Sequence, residues 1–194
     1  TGDTAGYGQV VPLIDPSTDA LRMLWHAPVG AIAAPFAPVF MGQDSIPAEF
    51  AKHRYLTVGE SHRFMDMRKA LSQGADVVSG ALQGVEASRS AVFECKRLMY
   101  LLQLAGEDTL TRIIGVFEAR EAGLAKKVKR LTDAALALVQ AGKPDAAVEI
   151  LGYLSIVELS AGLDLVMALA TGLEAELGAK GELPDDRDPV SFDQ

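Results

Sequence analysis

Six of the nine prolines fall within the first 58 residues, and from Glu60 onward apolar residues recur three and four apart. Long helices cannot run through the first region, because each proline removes an amide donor and clashes with the preceding turn. The second region has the helical period almost throughout. The expected class is therefore α+β. Residues 1–58 read as a strand hairpin and a proline-rich apolar loop, 59–178 as a helical region and 179–194 as an extended tail. A chain of 194 residues is of single-domain size and can bury a substantial core.

Gly8–Asp15 and Ala20–Ala27 read as two strands, joined by Asp15-Pro16-Ser17-Thr18-Asp19 with its turn-forming Pro, Asp and Ser. Pro12 suggests an edge or a bulge. Residues 28–47 follow as an extended apolar loop. About four helices are expected, over Arg63–Gln73, Gln83–Leu104, Leu110–Gln140 and Pro144–Leu177. Gly142-Lys143-Pro144 separates the last two, glycine closing one helix and proline opening the next. The final helix is apolar nearly all round, which predicts burial between other elements. A lone hairpin is only marginally stable in water. The two strands are thus expected to complete a sheet whose other strands lie on an upstream segment or a second polypeptide.

The net charge of −8 and the 6% aromatic content argue against nucleic-acid partners, which need basic surfaces or stacking platforms. A single cysteine allows no internal disulfide and no zinc site built from thiolates. His26, His53 and His62 fit no zinc spacing, and neither a P-loop nor a dinucleotide motif occurs, so no cofactor or metal is expected. The longest uncharged run, Ala27–Gln43, is broken by Pro28, Pro35 and Pro38, and no membrane span is expected from it. Thr1–Asp15 lacks the basic start and apolar stretch of a signal peptide. A soluble protein is expected, cytoplasmic or exported after processing. With no asparagine in the chain, no Asn side chain is available for an oxyanion hole.

Thr1 is the first candidate for chemistry. A threonine exposed by self-cleavage can act as a nucleophile with its own α-amine as base, whereas an ordinary cut leaves a simple chain end. Cys95, among Phe93, Leu98 and Met99 in mid-helix, reads as a buried structural thiol. Trp25-His26 ends a strand and enters the apolar loop, where binding residues gather, so both are candidate substrate-binding residues. Glu60, His62 and Asp66 read as a solvated first helical turn. Lys126, Lys127, Lys129 and Arg130 read as the solvated face of a helix.

The first 50 residues carry a pattern. Thr4-Ala5-Gly6-Tyr7, Leu24-Trp25-His26-Ala27, Ala34-Pro35-Phe36-Ala37-Pro38-Val39-Phe40 and Ile46-Pro47 together resemble the C-terminal part of the dipeptidase/secernin family. These are N-terminal-nucleophile hydrolases that cleave linear amide bonds. The resemblance implies the C-terminal part of a four-layer αββα fold. It also implies a catalytic cysteine on a strand that is not in this chain, and a small peptide or amide as substrate. Ala33 and Ala34 stand where the family carries a proline–cysteine pair. The alternative, from another class, is a non-catalytic structural or interaction subunit with a helical docking surface.

Overall fold

The computed structural model describes residues 8–12, 18–50 and 91–183. Thr1, His53, His62, the helix expected over Arg63–Gln73 and the tail beyond 183 lie outside the described residues. Those described form a small antiparallel sheet and three helices, a loosely α+β arrangement.

The sheet has three strands rather than the expected two: β1 (Gly8–Val10), β2 (Met23–Ala27) and β3 (Ala37–Phe40), in that order. Strand β1 pairs with β2 through Gln9↔His26, and β2 pairs with β3 through Trp25↔Pro38. The strand within the supposed loop was hidden by Pro35 and Pro38, which read as breakers. On an edge strand the missing proline donor is harmless when it faces outward. Pro38 does. The Met41 amide donates to the Arg22 carbonyl at 2.8 Å, so the alternating amides of Phe36 and Phe40 point away from β2, flanking Pro38. Strand β2 is also shorter than expected, because Asp19–Leu21 winds into a 3-10 turn.

The helices are α1 (Ala91–Ala105), α2 (Glu107–Gln140) and α3 (Pro144–Lys180). The expected boundary between the last two holds. The Lys143 amide donates to Leu138 and the Gly142 amide to Val139, with Gly142 at φ +75°. This left-handed closure satisfies carbonyls that a helix end otherwise leaves bare. Pro144 then takes the first position of α3, where its missing donor is not needed.

Helix α3 packs against α1, α2 and β3, and two apolar clusters form along it. One joins Ala27 and Ala34 to Leu98, Leu101, Phe117 and Val166; the other joins Phe40 to Leu124, Val128, Leu151 and Leu154. Fully burying each of these leucines contributes about 1.5–3 kcal/mol. By length and composition alone, α3 is also apolar enough to cross a bilayer. In this fold it is the spine on which the other elements lie, although Ile150 and Tyr153 remain exposed.

Candidate functional site

The chain from β2 through the proline-rich connection to β3 carries Trp25 and His26, and the helices hold it in place with polar side chains. The two outward amides of the β3 edge both find acceptors. The Phe36 amide donates to Glu121 Oε1 of α2 at 2.9 Å. The Phe40 amide donates to Ser155 Oγ of α3 at 3.3 Å, and that hydroxyl donates in turn to the Leu151 carbonyl at 3.2 Å. With Pro38 between them lacking a donor, β3 presents no unpaired amide along this edge.

Beside this clamp lies a charge cluster. Glu158 of α3 is buried and accepts from Arg120 Nη2 at 3.0 Å and from Lys127 Nζ at 2.5 Å, while Arg120 also reaches the Glu158 carbonyl at 2.9 Å. At Gly162 a Cβ would lie in ordinary contact with the loop and the guanidinium, 3.5 Å from Pro35 Cγ and 3.7 Å from Arg120 Nη2. Lys127 therefore departs from the solvated basic face expected of it, because Glu158 draws it inward. Lys126, Lys129 and Arg130 are exposed as expected, and Lys129 pairs with Asp133 at 2.8 Å. A second pairing ties α1 to α3 through Arg97, which holds both Glu94 and Glu174.

Trp25 and His26, neighbours on β2, project to opposite faces of the sheet. Trp25 packs on the cluster around Phe40 and Leu151. His26 lines a cavity of about 10 Å³ with Pro28, Ala34, Phe50, Cys95 and Leu163. That volume holds about one water, and the two residues share no pocket. Burial lowers the His26 pKa below its ordinary value, so the imidazole is neutral at pH 7. Cys95, on the same cavity, is 1% exposed. Burial, and then the Glu94 charge, push its thiol pKa far up. A thiol in that state is a poor nucleophile. Among the described residues no cluster of His, Cys, Asp and Glu could hold a metal ion.

The sequence singles out Trp25 and His26 as candidate binding residues and Cys95 as a structural thiol, but not Glu121, Ser155, Arg120 or Glu158. One signal was present. Between Glu149 and Asp164 the only charged residue is Glu158, and a lone acid in an apolar run implies a buried partner. No family model, curated protein or solved structure matches this chain.

Proposed function

We propose that this chain is the C-terminal portion of a linear amide or peptide hydrolase, whose nucleophile lies on an upstream segment or a partner chain. The observation that carries the reading is the fixing of the β2–loop–β3 segment. The residues that resemble the dipeptidase/secernin pattern, 24–27 and 34–40, form one antiparallel pair with its connection. Glu121 and Ser155 pin the outer edge of that pair. A site built on such a scaffold can hold a substrate wall rigidly.

The state of the chain's own thiol supports placing the nucleophile elsewhere, since Cys95 is buried and strongly disfavoured as thiolate. In this scheme an N-terminal cysteine attacks the amide carbonyl while its α-amine takes the thiol proton and passes it to the departing amine as the C–N bond breaks. Water then hydrolyses the thioester to the carboxylic acid and restores the thiol. The segment from Trp25 to Gly42 borders the pocket and sets substrate preference.

The test is made on the native preparation. Its intact mass is expected to show a second polypeptide or a longer precursor. Incubation with dipeptides and N-acyl amino acids is expected to give hydrolysis and a covalent acyl adduct outside residues 1–194. A preparation with no such companion and no amide hydrolysis would instead favour the interaction-subunit alternative.

A further inference from the structure

Of the eight large apolar side chains exposed among the described residues, Tyr153 lines a groove, Met41 and Ile46 flank in sequence the turn that forms one of its walls, and Ile150 belongs to the stretch of α3 that forms the other. Tyr153 is 69% exposed and Met41 64%. Such a concentration marks a surface that meets something. The groove, of about 680 Å³, is walled by the turn Gly42–Ser45 and by α3 from Asp145 to Ile156. Gly152 lets the turn lie close on α3, since a Cβ there would come within 3.3 Å of Gln43 Cβ.

Three carboxylates line the groove, Asp44, Asp145 and Glu149. None of them forms an ion pair among the described residues. Apolar contact area from Val148, Tyr153 and Ile156 and three carboxylates without an ion pair thus occur in one concavity.

We propose that this groove docks a segment of a partner protein that presents Lys or Arg beside an apolar residue. Its cationic groups pair with Asp44, Asp145 and Glu149, and its apolar side chain packs on Tyr153. A small cation alone would leave the apolar side chains uncovered. A second copy of the chain would bring its own net charge of −8 to an acidic surface, which opposes association. The groove's occupant is independent of the hydrolase reading, and its test reads binding rather than turnover.

The experiment uses the native preparation and a fluorescent probe peptide of alternating Lys and Leu, with a Glu/Leu peptide as its counterpart. Fluorescence anisotropy is expected to show binding of the Lys/Leu peptide only. The triple variant Asp44→Asn, Asp145→Asn, Glu149→Gln should weaken it by about tenfold or more. Tyr153→Ala should weaken it several-fold even in high salt, where exposed charge pairs are screened. All four positions are exposed, so thermal melts should match the parent. Equal binding by the triple variant would overturn the proposal. So would binding that Tyr153→Ala leaves unchanged, because that is polyelectrolyte attraction without a groove. Self-association of the parent that the triple variant abolishes would name a second copy as the occupant and equally overturn it.

Discussion

His26 couples the fold to pH. Desolvation holds its folded-state pKa below the ordinary value of 6.5. Between those two values the unfolded chain binds a proton that the folded one does not. Stability is therefore full above about pH 6.5 and falls as pH drops from there through the folded pKa. We expect His26→Gln to flatten the slope of unfolding free energy between about pH 7 and pH 5, measured by denaturant titration. Cys95 answers to different physics. Cys95→Ser should cost about 1–3 kcal/mol by burying a hydroxyl in an apolar site, and leave any amide hydrolysis within a few-fold. Rapid alkylation of Cys95 in the native protein, with loss of activity, would count against a structural thiol. The burial of Cys95 was legible in the sequence, because Leu98 and Met99 follow it three and four residues on, on the same helix face. The separation of Trp25 from His26 was legible only once both were assigned to a strand, whose neighbours face opposite ways.

At the scale of elements, the helices α2 and α3 followed from apolar period and punctuation, with α2 beginning three residues earlier than Leu110. Strand β3 did not. Its signal was masked by two prolines whose harmlessness depends on an outward edge, and that is a property of the assembled sheet. The partners that close the edge are likewise invisible locally, since Glu121 and Ser155 lie 85 and 115 residues from the amides they accept. Ser155→Ala should cost about 1–3 kcal/mol, because the buried Phe40 amide loses its acceptor. Glu121→Gln keeps a carbonyl oxygen for Phe36 and should be milder than Glu121→Ala; the two melting temperatures together check this. Glu158→Ala strands Arg120 and should destabilise by about 3–5 kcal/mol, while Glu158→Gln should lose less. Gly123 in α2 behaves oppositely. A Cβ there meets nothing within 4 Å, so Gly123→Ala should stabilise by up to about 1 kcal/mol.

For the whole molecule, the arrangement is lopsided. The β3 side of the sheet is sealed by helices, while on the β1 side Val10 and Val11 are more than half exposed. On the hydrolase reading that side adjoins the rest of the protein. Residues 1–194 expressed alone are then expected to self-associate or to melt without a cooperative transition, as sedimentation and calorimetry would show. A monodisperse monomer with one sharp transition would count against a fragment. The sequence could not indicate which side of the sheet the helices cover, because that depends on where α2 and α3 lie.

The long-range closure of β3 also has a consequence in time. During synthesis Phe40 emerges 115 residues before Ser155, an interval of about 6–23 s at ordinary elongation rates. Throughout it Phe40 lacks the acceptor of its outward amide, and Phe36 lacks its own until Glu121 follows 85 residues later, so these amides must rely on water or on a foreign strand. The newborn chain is therefore most adhesive before its last helix exists. Ribosome-arrested chains halted near residue 145 should be captured by holdase chaperones far more readily than chains released after α3.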